Sequence, residues 1–460
     1  MSGPQHIAVI DIGKTNAKLA LVDAATLAEV AVITRPNTVL RDGPWPTFDL
    51  EGHWHFILKG LRDFHAAHGV DAISVTTHGA SGVLLAADGT LAAPMLDYEH
   101  TGPETLAAEY DAIRPLFADT GSARLPVGLN LGAQFFWQFR QDPALLPRVA
   151  HVLTYPQYWG FRLTGEVATD VTSLGCHTDL WLPRKGALSP LVERLGIADR
   201  IAPPRRPAEV LGHVRPDIAA ITGLPRGTPV MVGIHDSNAS LYPHVLGRAA
   251  PFAVASTGTW VVTMAVGGEE VPLDPARDLL VNVNALGQAV PSGRFMGGRE
   301  YETVRAGSDA RPTAEDRAAV LRDGITLLPA IESGSGPFAG HRARWLGEPQ
   351  TEGVRNLALS YYLALMTDTC LGLIGARGPA IIEGPFARNP DYLQMLAALR
   401  PEGVETAQSA TGTSVGAALL CLHHRAAPAT QATATQATAA PPDAAALHSY
   451  ADRWRQAVSG

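Results

Sequence analysis

A chain of 460 residues is longer than one hydrophobic core serves, because domains run to about 100–200 residues, and two or three domains are expected. With 46% hydrophobic and 17% charged residues, it buries enough apolar surface to offset its conformational entropy, which excludes global disorder and a peptide-sized binding module. Lys and Arg number 36 against 44 Asp and Glu, a net charge of −8, so no positive field exists to collect nucleic acid or a membrane surface, and a small-molecule partner is expected. Cys176, Cys370 and Cys421 are far apart and odd in number, which leaves neither a disulfide framework nor a paired-cysteine metal site. No apolar stretch has the length of a signal peptide or membrane span, and a cytoplasmic protein is expected.

The chain opens with the apolar run His6–Ile10, the turn Asp11-Ile12-Gly13-Lys14-Thr15-Asn16 and a second strand-forming run to Val22. This predicts a β-hairpin with a polar tip. The β-branched segment 72–76 reads as a strand. Val230–Gly233 reads as a buried strand running into an acid, Asp236, at a helix start. A second hairpin like the first is predicted from Phe252 to Val266, with Ser256-Thr257-Gly258-Thr259 at its tip. Between the halves, Gly247-Arg248-Ala249-Ala250-Pro251 reads as the crossover between domains. Residues 354–374 carry apolar positions at helical spacing, residues 426–442 are an Ala/Thr/Gln-rich low-complexity stretch expected to be mobile, and 443–458 suits a final helix. Strands alternating with helices predict α/β layers.

The Gly13-Lys14-Thr15 triplet lacks the Gly that a phosphate-loop motif requires at position 8, which is Ala8, and precedes a strand rather than a helix. A tight hairpin tip can still aim N–H groups and hydroxyls at a phosphate, with Asp11 holding Mg²⁺ through water, although such a tip also serves as a plain solvated turn. Its recurrence at Thr257-Gly258-Thr259 suggests two tips gripping a nucleoside triphosphate. Asp236 has two readings: an N-cap, or a general base kept ionised by the helix N-terminus.

In order along the chain, Asp11–Asn16, Leu163-Thr164-Gly165 with Asp170, the run Pro207–Val214, Thr222–Asp236, Ser256–Trp260 and Glu383–Asn389 resemble the FGGY family of carbohydrate kinases, ATP-dependent sugar kinases of the actin-like superfamily. The resemblance spans residues 6 to 422. It implies two actin-like (ribonuclease H-like) α/β domains enclosing a central cleft: 1–246 binding sugar, 247–425 binding ATP, and 426–460 a C-terminal appendage. It makes Asp236 the catalytic base. It assigns ATP phosphates to Gly13, Thr15, Asn16 and Lys18 on one side and to Thr257, Gly258 and Thr259 on the other, and adenosine to Gly384 and Asn389. Where the family often has Gly-Gly, this chain has Glu383-Gly384. Sugar contacts fall to His78, Gly79, Asp97 and Glu99, with Gln157 where many members carry Asp and with His235. The Arg that often follows the Asp97 position is absent. The likeness is nearest to L-rhamnulose and L-fuculose kinases, with D-xylulose, ribulose or other polyol kinases as the alternative and a catalytically silent sugar or nucleotide sensor as the non-enzyme one. ATP and Mg²⁺ are the expected small molecules beside the sugar, and a homodimer is left open.

Three further signals carry little. Gly334–Ala339 fits a dinucleotide fingerprint only in its letters and reads as a loop, because Pro337 follows its second Gly. His53-Trp54-His55 and His423-His424 lack a third ligand. Ser81 and Ser237 lack a nucleophile elbow.

Overall fold

The computed structural model describes residues 3–407, 412–422 and 434–459. Two compact units emerge: Met1–Arg248 with Val281–Ala289 and Thr411–Thr433, then Ala249–Leu280 with Val290–Ala410 and Ala434–Gly460. The chain first crosses between Arg248 and Ala249 and returns twice to the first unit, where the sequence suggested a single crossing near residue 247.

The first unit is built on strands β1 (His6–Ile12), β2 (Asn16–Asp23), β3 (Glu29–Pro36) and β4 (Ala72–Thr77), joined later by β5 (Val210–His213), β6 (Pro229–Met231) and β7 (Ile234–His235). Their order is β5-β6-β4-β1-β2-β3, with β7 also on β4. β1 and β4 are buried almost throughout, which is why both read as continuous apolar or β-branched runs: each is covered on two faces. Helix α1 (Leu50–His68) turns Trp54, Ile57, Leu61 and Phe64 inward at helical spacing and is capped by Asp49, whose carboxylate accepts from Gly52 N at 2.9 Å. Helix α2 (Asp236–Gly247) follows β7 without a gap.

The second unit repeats the plan. Hairpin β8 (Phe252–Thr257) and β9 (Val261–Val266) stands where β1 and β2 stand in the first unit. Around it lie β10 (Leu279–Val283), β11 (Ala289–Phe295), β12 (Ala380–Glu383), β13 (Val404–Ala407) and β14 (Thr435–Ala437), in the order β10-β11-β9-β8-β12-β13-β14. In each unit the first hairpin strand has a parallel neighbour on its other side, β4 on β1 and β12 on β8. Helices α3 (Gly297–Arg305), α4 (Glu352–Leu373) and α5 (Pro390–Leu399) belong to this unit. Helix α6 (Thr413–Leu419) returns to the first unit, and α7 (Ala444–Ser459) ends the second.

The final helix expected at 443–458 is present as α7, whereas part of the stretch expected to be mobile is ordered. Thr435–Ala437 pairs antiparallel with β13, and α7 places Leu447, Tyr450 and Trp454 in the hydrophobic core of the second unit. Residues 426–433 of the low-complexity stretch, and His423-His424, lie outside the described residues. The three cysteines form no disulfide. Among the described residues no helix is long and apolar enough to cross a membrane.

Candidate active site

Strand register brings the first unit's chemistry together. Asp11 lies opposite Thr76 and Ile12 opposite Thr77, while His235 also pairs with Thr77. The carboxyl ends of β1, β4 and β7 therefore deliver Asp11, His78 and Asp236 to one edge of the sheet, where open α/β sheets hold ligands.

Beyond β1 the tip closes through Gly13 N donating to Asn16 O at 2.9 Å. Asp11, Gly13, Thr15, Asn16, Lys18 and Thr34 line a cavity of about 390 Å³ there. Asp11 is 9% exposed; it accepts from Thr413 Oγ1 on α6 and meets Lys18 Nζ at 3.5 Å. Burial raises its carboxyl above the usual range and the charge of Asp236 adds to this, against the pull of Thr413 and Lys18.

Asp236 is the first residue of α2, not its cap; His235 occupies the cap position. Its Oδ1 accepts from Ser237 N at 2.6 Å and lies 3.2 Å from His235 Nε2, and the side chain keeps 31% of its exposure. Loss of solvation raises the Asp236 carboxyl above its usual value, opposed by the Ser237 N–H. The Ser237 N–H is the first exposed donor of the helix, so the helix start favours the carboxylate while partial burial works against it.

Both histidines here are held neutral. Burial lowers His78 to about 4 and His235 to about 4. His78 Nδ1 donates to Gly79 O at 2.9 Å, which leaves the lone pair on Nε2, a buried nitrogen without a hydrogen-bond partner. His235 is fixed by its backbone N donating to Thr172 Oγ1 at 3.0 Å, and its Nε2 lies 3.4 Å from Cys176 Sγ. Gly79 is required by this crowding: a Cβ would fall 2.6 Å from His235 Nε2 and 3.2 Å from Cys176 Sγ.

Asp97 and Glu99 are committed to a residue the sequence reading left out. Lys14 Nζ pairs with Asp97 Oδ1 and, at 3.2 Å, with Glu99 Oε2, and sits over the rings of Phe48 at 4.9 Å and Tyr98 at 4.6 Å. Asp97 is buried and Glu99 exposed. Gln157, on the helix Tyr155–Thr164, is wholly buried; its Nε2 donates to Val232 O at 2.9 Å and its Oε1 accepts from Thr154 Oγ1. It ties that helix to the segment before Asp236, a scaffolding position rather than a pocket wall.

The second unit holds a cavity of about 1180 Å³, lined by Gly258, Thr259, Gly298, Asn356, Ser360 and Asn389 among others. Thr257 lies beneath it, buried, donating from Oγ1 to Glu383 O and accepting from Phe386 N at 3.1 Å. Gly384 (φ +81°) lies so near that a Cβ would be 1.9 Å from Thr257 O, so only glycine fits this turn. Asn389 caps α5, its Oδ1 accepting from Asp391 N and Tyr392 N at 3.1 Å each, while Nδ2 donates to Ser360 Oγ at 3.0 Å. Gly298 was missed: a Cβ there would lie 2.1 Å from Gly258 O, so the start of α3 and the tip of β8–β9 touch backbone to backbone. The Gly297-Gly298 pair between a strand and a helix was the signal available in the sequence.

Residues 6–242 match the N-terminal domain of the FGGY family of carbohydrate kinases, and residues 249–431 match the carbohydrate kinase FGGY C-terminal domain. The chain belongs to the FGGY family of carbohydrate kinases. Among solved structures it resembles a carbohydrate kinase from Novosphingobium aromaticivorans, with a TM-score of 0.90 and 37% identity over 100% of this chain and 99% of that one. The FGGY fold, two actin-like α/β domains, is thus the fold of this protein. An L-fuculokinase of Salmonella typhi is 27% identical over 57% of this chain and 57% of its own length. A rhamnulokinase of Enterobacter sp. (strain 638) is 24% identical over 63% and 59%. The chain spans little more than half the length of these curated relatives.

Proposed function

We propose that this FGGY chain is an ATP-dependent sugar kinase that moves the γ-phosphoryl group of ATP to a ketose hydroxyl, with an L-fuculose- or L-rhamnulose-type ketose as acceptor. The observation that carries the reading is Asp236, a solvent-reachable carboxylate with a raised pKa at the carboxyl end of β7, sharing its sheet edge with Asp11 and His78. The names of the fuculokinase and rhamnulokinase relatives favour the deoxyketoses; a D-xylulose, ribulose or other polyol acceptor is the alternative within the family. The first unit binds the sugar and the second the nucleotide, and a reaction supplied by intracellular ATP belongs in the cytoplasm.

In this reading Asp236 accepts the proton of the attacking hydroxyl, and its raised pKa makes it a stronger base. Neutral His78, its ring fixed by Nδ1 donating to Gly79 O, borders the sugar without adding a charge there. Lys14, clamped by Asp97 and Glu99, fixes the loop that borders the sugar. The tip of Gly13, Thr15 and Asn16, with Lys18, receives the transferring phosphate, and Gly258 and Thr259 hold the nucleotide side. Asp11 suits a hard divalent ion because Mg²⁺ takes one or two carboxylates and completes its shell with water and phosphate. When bound, Mg²⁺ would neutralise charge on the phosphate oxygens.

Coupled measurement of ADP release with L-fuculose, L-rhamnulose, L-ribulose, D-xylulose, D-ribulose and glycerol tests the reading. One ketose is expected to drive turnover well above the sugar-free rate, and Asp236→Asn is expected to lower kcat about 10²–10⁴-fold with the KM for ATP little changed. No sugar-dependent ADP release across the panel, or normal turnover in Asp236→Asn, would sink it.

A further inference from the structure

The phosphate tip of the first unit does not stand alone. Asn37, the residue after β3 and 7% exposed, reaches it twice: its backbone N donates to Thr15 O at 2.8 Å, and its Nδ2 donates to Gly13 O at 2.9 Å. Asn37 Oδ1 lies 2.8 Å from Nε2 of His53, a wholly buried residue of α1. His53 Nδ1 lies 2.9 Å from Arg35 Nη1, and Arg35 is ion-paired with Asp49, the cap of α1.

Every proton in this chain has an assigned direction. A guanidinium can only donate, so His53 Nδ1 accepts and its proton resides on Nε2. Nε2–H then donates to Asn37 Oδ1, which leaves Nδ2 to donate to Gly13 O, and the amide cannot be flipped without setting two acceptors face to face. Burial together with the Arg35 charge lowers His53 to about 4, so the ring stays in this neutral form near neutrality. The consequence falls on the tip. The carbonyl oxygens of Gly13, Thr15 and Asn16 are taken by Asn37 Nδ2, Asn37 N and Gly13 N. A carbonyl facing an incoming phosphate would repel it; with three of them tied back, the tip is left to present the donors other than Gly13 N, which is spent on Asn16 O.

The geometry points to Asn37 and His53 as positioning residues for phosphoryl transfer: the relay Asp49–Arg35–His53–Asn37 holds the tip with its acceptors turned away from the transferring phosphate. This rests on the kinase reading above. It assigns a role to His53, which the sequence left as a histidine without partner ligands, and to Asn37, which no motif marks.

Steady-state kinetics with the best ketose test it in Asn37→Ala, His53→Leu and His53→Gln. Asn37→Ala and His53→Leu are expected to lower kcat about 10- to 100-fold, as misplacement of a transition-state contact does, with the KM for sugar within about twofold of wild type. His53→Gln, whose amide can still donate toward Asn37 Oδ1, is expected to recover most of the rate. Folded Asn37→Ala with wild-type kcat would overturn the inference, as would His53→Gln falling as far as His53→Leu. If His53→Leu does not fold, Asn37→Ala decides alone, since it keeps the backbone bond to Thr15. A wild-type protein that phosphorylates no sugar defeats the kinase reading. The relay is then judged by amide exchange at residues 13–16, where faster exchange in Asn37→Ala supports it and unchanged exchange overturns it.

Discussion

Asp236 illustrates how burial and charge together set the chemistry of a single side chain. Its carboxyl is raised by lost solvation, so the basic form that the proposed proton abstraction needs is lost at higher pH than for an ordinary aspartate. As pH falls through that raised value the carboxylate takes up its proton and activity declines. The acid limb of the kcat/KM profile should therefore lie above the ordinary Asp value of about 3.9, and a limb at or below it would mean that Asp236 is not the titrating base. Lys14 makes a second residue-scale case. It is the cation closest to buried Asp97, so Lys14→Met should lower stability by about 1–3 kcal/mol in urea unfolding, because a buried carboxylate loses a charged partner. Asp236 was legible in the sequence because a buried strand, a glycine and an acid at a helix start occur within seven residues. Lys14 was not: its partners are 83 and 85 positions away, and local pattern carries no trace of them.

Hairpins and long helices are the elements the sequence announces best, because their periodicity is local. The β1–β2 hairpin and α4, expected at 354–374 and found at Glu352–Leu373, are of that kind. The short strand Thr435–Ala437 is not; three residues of Ala/Thr/Gln composition carry no alternation, and only an existing edge on β13 makes them a strand. The register that sets Asp11 beside Thr76 is likewise invisible, since a parallel pairing is fixed by tertiary packing rather than by a turn. Close approach of elements is equally hidden. Helices α2 and α6 cross so tightly that a Cβ on Gly416 would lie 1.7 Å from Ala239 O. Gly416→Ala should therefore force the helices apart, cost about 1–3 kcal/mol in thermal unfolding, and slow turnover by drawing Thr413 away from Asp11. Unchanged melting and kcat would show that the crossing yields at no cost.

At the scale of the whole chain, family likeness ran ahead of physical derivation. The ordered motifs from residue 6 to 422 pointed to the FGGY fold, whereas the alternation of strand-like and helix-like segments gave only α/β layers. What neither supplied was the path of the chain. Ala417, Ala418, Leu419, Leu420 and Leu422 share one hydrophobic cluster with Ile7, Val9, Ala72 and Met231, so the first unit is completed by residues more than 400 positions from its start. A protein stopped after residue 410 should lose the cooperative melting of its first unit and bind apolar dyes there; an unaltered melting curve would mean that this cluster is dispensable.

That late-arriving helix also sets a schedule for biosynthesis. Ribosomes add about 5–20 residues per second, so the interval between emergence of residue 248 and residue 422 is on the order of ten to thirty seconds. Throughout it the nascent amino-terminal half exposes an oily flank made for α6. Cells producing this protein should therefore depend on chaperones that shield such a flank, and the dependence should ease when translation is fast through the intervening stretch.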